Sequence, residues 1–502
     1  MITIDEMKNM YDECRDLKEF MRIRAKARPD VPLFAVYGRK GDEPERVITS
    51  ADFKREVDAL GTWFYCNGYR NRHIAILGEN SYEWILTMMA AVTGSNTALF
   101  LDTTKSAEEL SDIVSFCDAE VIVVSDSYSK TAMDIKKNTG IALIPMESLS
   151  EKVEEGRKRL DEGCTDFIDH VIDPDGMSVI CCTSGTTGRS KGVMISQSAI
   201  VKVAVSSSKV VGYYDFGRTF VLLPLYHIYP LVHNIFMNIA LGGTLCFTPG
   251  IRTFAADYMK IRPEMLPMVP RLVEVLAQFL EKMPEAPAPK FILCGGSAPS
   301  LELMEELAKK GVRVATGYGL TETAASAAIN MDSMKYRDGS MAVLPDVDFK
   351  VIDCDQQGIG ELLLSGPGIM IGYYKLPEET EKVLDKDGFL HTGDLVSLTE
   401  ENRIIIKGRK DRMMVLPNGL NVHPQEIEED IMKVDGVTEL IVRLEDGVIT
   451  ARIYAEDFSK RDQIREAVNE INKKCPAYRQ TERIVFTDEP LPRTAAGKIK
   501  LD

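Results

Sequence analysis

The sequence contains no apolar run of the roughly 18–20 residues that a membrane-spanning helix requires. It also lacks an excess of basic residues, because 60 Lys and Arg stand against 76 Asp and Glu, for a formal net charge of −16. So acidic a chain is a poor match for nucleic acid or an anionic membrane surface. These absences argue against an integral membrane segment and against a nucleic-acid partner.

The ten cysteines lack CxxC spacing, and no secretory leader follows Met1. Extracellular disulfide scaffolds and zinc ribbons normally show such features. Reduced thiols fit this usage best, so we expect a cytoplasmic protein. We also find no internal repeat and no low-complexity tract.

The length of 502 residues predicts two or more packed units. From residue 73 to residue 124, short apolar runs alternate with helical segments, and Ser106 with Glu109 forms a capping box. Strands alternating with helices predict a parallel sheet with right-handed crossovers. The fold class is therefore α/β, with a large N-terminal domain of parallel and mixed sheets flanked by helices.

Two further stretches carry secondary-structure signals. Residues 6–28 have apolar positions at helical spacing and a basic end, which predicts one helix whose basic end is either a solvated face or a contact with lipid or CoA. Near Asp411 the chain becomes charged and the pattern restarts on a smaller scale, with a helix from Pro424 and strands at 440–444 and 448–454. We predict domains at residues 1–410 and 411–502, the second a small α+β lid.

Residues 183–192 read Thr-Ser-Gly-Thr-Thr-Gly-Arg-Ser-Lys-Gly. Glycines let backbone N–H groups approach an anion, hydroxyls add donors and Lys191 adds positive charge, so the loop suits polyphosphate. The P-loop of kinases and GTPases requires glycine five residues after Gly185, where this chain has Ser190. Residues 178–182 and 193–195 look extended, and no helix starts at Lys191. An ordinary turn is the structural alternative.

This loop resembles the phosphate loop of the acyl-adenylate-forming superfamily, which contains acyl-CoA synthetases, luciferase-like enzymes and peptide-synthetase adenylation domains. A rarer block supports the resemblance, because residues 316–323 read Thr-Gly-Tyr-Gly-Leu-Thr-Glu-Thr. Three more blocks, at residues 294–299, 390–394 and 491–500, stand in the family order. The resemblance spans nearly the whole chain and implies activation of a carboxylic acid with ATP.

The resemblance implies an ATP and Mg²⁺ site. It places Tyr318 against adenine, Thr321 on the α-phosphate and Glu322 on Mg²⁺, which prefers one or two carboxylates with phosphate oxygens and waters. Alone, Glu322 would be an ordinary surface carboxylate. The nucleotide-binding residues implied are Thr183, Ser184, Gly185, Thr186, Thr187, Gly188, Lys191, Gly295, Gly296, Ser297, Tyr318, Gly319, Asp394 and Arg409.

The resemblance gives Asp394 the two ribose hydroxyls, which suits an acceptor-only carboxylate, and gives Arg409 the ribose and phosphate. Lys498 would bridge the carboxylate and the α-phosphate during adenylation, although the same segment could be a frayed basic tail. Asp411 would be the hinge of the C-terminal domain. Asn418 and Gly419 would belong to the loop that meets the pantetheine of CoA.

The acyl pocket is implied to involve Tyr226, His227, Val269 and Gly295, with His227 also catalytic. Residues 224–227, Pro-Leu-Tyr-His, resemble fatty-acyl and aryl-CoA ligases, whereas amino-acid-activating domains place an aspartate here. His227 could instead be a packed core histidine. We expect a medium- or long-chain fatty acid rather than an aryl acid. The rivals are an acyl-AMP ligase that loads a carrier protein and a silent nucleotide-binding regulator.

Overall fold

The computed structural model describes residues 4–184, 190–212, 217–250, 253–416, 421–476, 479–492 and 499. In this part of the chain the strands are β1 (Pro32–Val36), β2 (Arg46–Thr49), β3 (His73–Leu77), β4 (Thr97–Phe100), β5 (Ala119–Val124), β6 (Ala142–Pro145), β7 (Met177–Ser184), β8 (Ser190–Ser196), β9 (Arg218–Phe220), β10 (Thr244–Phe247), β11 (Met265–Met268), β12 (Phe291–Cys294), β13 (Arg313–Tyr318), β14 (Ala328–Asn330), β15 (Ala342–Val343), β16 (Asp348–Ile352), β17 (Gly360–Ser365), β18 (Gly372–Tyr373), β19 (Leu390–Leu398), β20 (Ile404–Arg409), β21 (Met414–Val415), β22 (Asn421–Val422), β23 (Glu439–Glu445), β24 (Val448–Tyr454) and β25 (Arg483–Thr487).

The helices are α1 (Ile4–Glu13), α2 (Leu17–Ala27), α3 (Ser50–Cys66), α4 (Tyr82–Val92), α5 (Ala107–Phe116), α6 (Ser129–Thr139), α7 (Leu149–Asp161), α8 (Asp166–Asp169), α9 (Gln197–Val211), α10 (Ile228–Pro230), α11 (Met237–Leu241), α12 (Phe254–Ile261), α13 (Pro270–Lys282), α14 (Leu301–Lys309), α15 (Pro377–Glu381), α16 (Pro424–Met432) and α17 (Arg461–Lys474).

The chain forms two compact units. The first unit comprises Met1–Phe349 and Leu364–Leu390, and the second unit comprises Lys350–Leu363 and His391–Asp502. The domain boundary that the sequence predicts between residues 410 and 411 stays a prediction.

The first unit contains two large sheets. One has the strand order β15-β14-β13-β12-β11-β9-β10-β1-β2, and the other has the order β18-β8-β7-β4-β3-β5-β6. The strands from β13 to β1 run parallel, as do those from β7 to β6, whereas the flanking strands are antiparallel. The predicted α/β class with parallel and mixed sheets is confirmed.

Local sequence signals explain several of these elements. The apolar run of β3 is buried from Ile74 to Leu77, as a central parallel strand requires. Helix α5 begins with the predicted capping box, in which Ser106 Oγ accepts from the Glu109 N–H at 3.2 Å and a Glu109 carboxylate oxygen accepts from the Ser106 N–H at 2.9 Å. These two bonds satisfy donors that a helix start otherwise leaves unpaired.

The prediction of one helix over residues 6–28 was wrong, because the segment forms α1 and α2. Asp16 starts the second helix by accepting a hydrogen bond from the Glu19 N–H at 2.7 Å. Arg24, part of the predicted basic end, is fully buried and donates to the Gly242 carbonyl at 3.1 Å. Part of that basic end therefore serves packing rather than a surface contact.

The second unit combines the sheet β16-β17-β19-β20 with the sheet β23-β24-β25. Pro424 occupies the first turn of α16, as its fixed φ favours, and the longer helix α17 ends at Lys474. Apolar side chains from α16, α17 and the three-stranded sheet form one core, which includes Ile431, Val442, Ile453, Ile464 and Val468. The predicted α+β pattern of this region is confirmed.

The structure also bears on two expectations from the sequence, which concern membrane-spanning segments and the state of the cysteines. In the described part of the chain, no helix combines the length and the apolar character needed to cross a membrane. All ten cysteines have free thiols.

Candidate active site

The predicted phosphate loop falls in the sequence between two antiparallel strands. Strand β7 ends at Ser184, β8 begins at Ser190, and Thr183 lies opposite Lys191 in the antiparallel register. The predicted extended flanks are therefore confirmed, and no helix starts at Lys191. The loop residues Gly185, Thr186, Thr187 and Gly188 lie outside the described residues.

Three neighbouring parallel strands carry predicted site residues at their carboxyl ends. Val269 follows β11, Gly295 follows β12, and Tyr318 ends β13. Strands β11, β12 and β13 pair in parallel, so their carboxyl ends meet at one edge of the sheet. Open α/β sheets bind ligands at this edge. The fold thus brings together residues that are up to 49 positions apart in the sequence (318 − 269).

Close packing requires glycine at two of these positions. A Cβ added to Gly295 would lie 2.7 Å from the Tyr229 ring, whose hydroxyl donates to the Leu293 carbonyl at 2.7 Å. A Cβ added to Gly319 would lie 2.2 Å from the Ala325 carbonyl oxygen. Neither approach leaves room for a side chain, and at Gly319 the obstacle is backbone that cannot rotate away.

Glu322 lies on a tight turn that the backbone holds in place. Thr321–Thr323 form a 3₁₀ turn, and the Glu322 carbonyl accepts from the Met370 N–H at 2.9 Å. The turn is followed by Ala324 at φ 45° and Ala325 at φ 88°. Left-handed backbone at residues other than glycine costs energy and is concentrated at functional sites. The turn therefore fixes the backbone position from which the Glu322 side chain extends.

The Glu322 side chain is half-buried, and the Tyr373 hydroxyl donates to its Oε1 at 2.9 Å. The ring of the same tyrosine lies 4.8 Å from Lys191 Nζ, measured to the ring centroid. Lys191 Nζ also contacts the Glu379 carboxylate at 2.8 Å. Hydrogen bonds from Lys191 and Lys382 lower the pKa of Glu379 to about 2. One tyrosine therefore contacts both the predicted metal ligand and the predicted phosphate-binding lysine.

Tyr226 and His227 lie beside each other after β9, with their ring centroids 4.6 Å apart. Burial, followed by the charge of the nearby Asp102, raises the pKa of Tyr226. Burial lowers the pKa of His227, and this effect outweighs the influence of the Asp102 charge, which raises it. The lowered pKa favours the neutral imidazole. His227 is half-buried, whereas the nearby His233 is only 1% exposed and is a true core histidine.

In the second unit, Asp394 and Arg409 pair across strands β19 and β20. Arg409 Nη1 lies 3.2 Å from Asp394 Oδ1 and donates to the Thr392 carbonyl at 2.9 Å. Burial opposes the charge of Arg409, but Asp394 and then Asp411 outweigh it and raise its pKa. The structure therefore brings together the two residues that the resemblance assigns to ribose.

The donor chemistry around Glu322 fits Mg²⁺. The described residues contain no group of three or more His, Cys, Asp or Glu side chains arranged to hold a metal. One half-buried carboxylate that shares its tyrosine neighbour with Lys191 nevertheless matches the preference of Mg²⁺ for a carboxylate, phosphate oxygens and waters. Glu322 is thus a suitable protein ligand for a magnesium ion that arrives with ATP.

Gly296, Ser297 and Asp411 are further predicted site residues that the structure describes. Gly296 has φ 87°, and the Ser297 carbonyl accepts from the Cys294 thiol at 3.5 Å. Asp411 is exposed on a 3₁₀ turn and contacts Arg409 at 3.3 Å. Lys498, Asn418 and Gly419 lie outside the described residues. Their assigned roles stay predictions.

Four residues that lie near predicted site residues were not predicted from the sequence. They are Asp102, Tyr229, Tyr373 and Glu379. Tyr373 lies in a two-residue strand, which is too short to produce a period. None of the four belongs to a sequence motif described above. Their positions near the site follow only from the packing of chain segments that are distant in the sequence.

Comparison with known proteins agrees with this geometry. A family model described as "AMP-binding enzyme" matches residues 21–374. The indoleacetate–CoA ligase of Aromatoleum aromaticum is 26% identical over 489 residues, which cover 91% of this chain and 93% of that protein. A long-chain-fatty-acid–CoA ligase of Escherichia coli O6:H1 is 30% identical over 346 residues, which cover 65% of this chain and 61% of that protein.

Among solved structures, O-succinylbenzoate coenzyme A synthetase from Bacillus subtilis, in complex with ATP and magnesium ion, shares the fold with a TM-score of 0.79. It is 22% identical, and the match covers 96% of this chain and 98% of that one. The family match includes strands β7 and β8, the three strand ends and the Glu322 turn. The chain therefore belongs to the AMP-binding enzyme family, the acyl-adenylate-forming superfamily of AMP-forming ligases.

Proposed function

We propose that this protein is an AMP-forming acyl-CoA synthetase, which activates a carboxylic acid with ATP and transfers the acyl group to CoA. The observation that carries the proposal is the meeting of Val269, Gly295 and Tyr318 at adjacent strand ends, with Glu322 on the following turn. Family membership and the two CoA ligases described above support it.

In the first half-reaction, a carboxylate oxygen attacks the α-phosphorus and the bond to the β-phosphate oxygen breaks. Acyl-AMP and pyrophosphate are formed. Thr321 donates a hydrogen bond to the α-phosphate, and the loop at residues 183–191 holds the departing phosphates. Mg²⁺ bound by Glu322 supplies positive charge to the phosphate oxygens. Lys498 stabilises the charge that spreads over five-coordinate phosphorus.

In the second half-reaction, the CoA thiolate attacks the acyl carbonyl and AMP leaves. Activation is necessary because AMP departs from the tetrahedral intermediate far more readily than an oxide ion does. Asp411 provides the hinge between the two steps, while Asn418 and Gly419 approach pantetheine. These three roles rest on the resemblance of their segments to the family.

Asp394 accepts hydrogen bonds from the ribose hydroxyls, and Arg409 orients that carboxylate while reaching ribose and phosphate. The Asp394–Arg409 contact of 3.2 Å supports this division of roles. An arginine that is already bonded to two backbone or carboxylate oxygens needs little reorganisation when the nucleotide binds.

The proposed acid is a medium- or long-chain fatty acid. The Escherichia coli relative named above is a long-chain-fatty-acid ligase, and residues 224–227 resemble fatty-acyl ligases. The neutral state favoured at His227 suits a pocket for an uncharged chain. An aryl acid is the second candidate, because indoleacetate is the substrate in the name of the Aromatoleum aromaticum relative, whose match covers 91% of this chain.

ATP–pyrophosphate exchange tests the proposal when it is measured with acids from C2 to C18, with aryl acids and with amino acids. We expect the fastest exchange with a fatty acid of medium or long chain. Faster exchange with aryl acids would select the second candidate. No exchange with any acid would indicate a silent nucleotide-binding protein instead.

The acceptor needs a separate assay, since exchange reports only the first half-reaction. Thioester formation should be compared between free CoA and a carrier protein that bears phosphopantetheine. We expect CoA to be the better acceptor. A product found only on the carrier protein would contradict the CoA assignment and support a carrier-loading ligase.

A further inference from the structure

Lys191 and Glu322 carry opposite charges, and both contact Tyr373 on different parts of the side chain. The phenolic hydroxyl donates to Glu322 Oε1 at 2.9 Å. The Lys191 ammonium lies against the ring, 4.8 Å from its centroid. The tyrosine is thus a neutral group that touches a predicted metal ligand and a predicted phosphate ligand at once.

Backbone contacts hold Tyr373 in this position. Its N–H donates to Thr380 Oγ1 at 2.9 Å, and it lies opposite Val193 in the β8–β18 pair. The preceding Gly372 has φ 149°, and a Cβ there would lie 2.8 Å from the Thr380 side chain. Only 7% of Tyr373 is exposed. The phenol is therefore held by its strand and does not sample many orientations.

A separate carboxylate pairs with Lys191. The Glu379 carboxylate lies 2.8 Å from Lys191 Nζ, and the pKa of Glu379 is lowered to about 2 by hydrogen bonds from Lys191 and then Lys382. Lys191 thus has an anionic partner other than Glu322. Glu322 receives its hydrogen bond from a phenol, which brings no positive charge.

We propose that Tyr373 is a positioning residue of the metal site: its hydroxyl orients the Glu322 carboxylate and its ring keeps the Lys191 ammonium from pairing with that carboxylate. The inference rests on the proposed function, which assigns Glu322 to Mg²⁺ and Lys191 to phosphate.

The physical reason is competition for one carboxylate. A lysine bonded to Glu322 would cancel the charge that attracts a divalent cation. A neutral donor instead fixes the orientation of the carboxylate and leaves its charge intact. Hydrogen-bond partners of metal-binding side chains typically change metal affinity by 10- to 100-fold when they are removed. Tyr373 should therefore control Mg²⁺ affinity rather than the binding of the acid.

Two substitutions separate the hydroxyl from the ring. Tyr373→Phe removes only the hydrogen bond to Glu322, and we expect the half-saturating Mg²⁺ concentration for ATP–pyrophosphate exchange to rise about tenfold. Tyr373→Leu also removes the ring, so that Lys191 can reach Glu322, and the rise should approach roughly 100-fold. The KM for the acid should stay unchanged in both variants, and exchange at saturating Mg²⁺ should recover in Tyr373→Phe.

A second measurement does not depend on catalysis. Mn²⁺ binding to the full-length protein with ATP, followed by electron paramagnetic resonance, should weaken in the same order and by similar factors. Because Tyr373→Leu could destabilise the fold, thermal melting is recorded for each variant. The Phe variant keeps the ring and decides the role of the hydroxyl on its own.

Tyr374→Phe is the matched control. Tyr374 is the next residue, and its hydroxyl donates to Asp118 at 2.7 Å rather than to Glu322. Its loss should leave the Mg²⁺ dependence and Mn²⁺ affinity at wild-type values.

Two results would overturn the inference. One is wild-type Mg²⁺ dependence and Mn²⁺ affinity in Tyr373→Phe. The other is an equal change in Tyr374→Phe, which would indicate a general effect of the strand. Failure of the proposed function looks different, because the wild type itself would show no acid-dependent exchange. In that case Mn²⁺ binding with ATP would still decide the role of Tyr373.

Discussion

The first unit and the second unit each contain a cluster that combines carboxylates with a basic side chain, and the two clusters differ in how the charges meet. The metal-side cluster of the first unit consists of Lys191, Glu322, Tyr373 and Glu379, and the ribose-side cluster of the second unit consists of Asp394, Arg409 and Asp411. In the metal-side cluster a phenol contacts both Lys191 and Glu322. In the ribose-side cluster Arg409 contacts Asp394 directly at 3.2 Å.

The difference follows from the ligand proposed for each carboxylate. A carboxylate that binds a divalent cation must keep its negative charge, so a neutral donor is the better neighbour. A carboxylate that accepts hydrogen bonds from a diol has to be oriented, and it retains acceptor sites when an arginine bonds to one oxygen. Charge is thus preserved in one cluster and partly balanced in the other.

The largest effect is expected for Lys498, which belongs to neither cluster. Its substitution tests whether the two clusters are sufficient for the first half-reaction. Lys498→Ala should lower acid-dependent pyrophosphate exchange by roughly 10²- to 10³-fold, or about 3–4 kcal/mol, because one charged donor to the transition state is lost. Thioester formation from supplied acyl-adenylate should be less affected. Exchange at the wild-type rate would contradict the assignment and show that the two clusters suffice.

A smaller effect is expected in the metal-side cluster. Glu322→Gln keeps the shape of the side chain but removes the charge, so exchange at a fixed Mg²⁺ concentration should fall roughly 10²-fold. ATP binding in the presence of a chelator should stay near the wild-type affinity, as measured by calorimetry. If metal-free ATP binding falls as much as exchange does, Glu322 binds the nucleotide rather than the metal.

The ribose-side cluster should respond in KM. Asp394→Asn removes a charged acceptor from the ribose hydroxyls, and the KM for ATP should rise roughly tenfold. The half-saturating Mg²⁺ concentration should not change, in contrast to the Glu322 variant. 2′-Deoxy-ATP serves as a control, since the variant should lose discrimination against it. A shift in Mg²⁺ dependence as large as that of Glu322→Gln would remove the distinction between the clusters.

The smallest expected effect concerns the pH dependence of the first unit. Burial lowers the pKa of His233 from 6.5 to about 4, and the unfolded chain then binds more protons than the folded chain below pH 6.5. Stability is therefore lost as the pH falls from about 6.5 toward 4. Between pH 7 and pH 6, His233 should account for about 0.5–1 kcal/mol of lost unfolding free energy.

Intrinsic tryptophan fluorescence is a suitable probe, because Trp63 and Trp84 are the two tryptophans of the chain and both lie in the first unit. Denaturant unfolding at pH 7 and pH 6 should show the loss in the wild type and a smaller loss in His233→Gln. Equal losses in the two proteins would show that His233 does not contribute.

Much of the fold was predictable because its signals are local. The capping box at Ser106, the helix start at Pro424 and the strands around residues 183 and 191 each depend on neighbouring residues. The prediction over residues 6–28 failed at Asp16, where a side-chain hydrogen bond begins a new helix in the middle of a continuous apolar period. Periodicity describes which face is buried and does not by itself show where a helix restarts.

The candidate site was predictable in part. Tyr318, Glu322 and Asp394 belong to blocks whose residue types match their chemistry. Tyr373 could not be predicted, because it pairs with a strand 180 positions earlier in the sequence (373 − 193). Its two-residue strand carries no period, and its neighbours in the sequence say nothing about Glu322.

The sequence by itself determined the family, the α/β class and the kinds of side chain that the reaction needs, because these depend on residue identity and short spacings. The tertiary structure alone decided which charges touch. Strand pairing placed a phenol against Lys191 and Glu322 and joined Arg409 to Asp394. Hydrogen bonds and ion pairs require separations of about 3–4 Å, so such partners are known only when distant segments of the chain have been brought together.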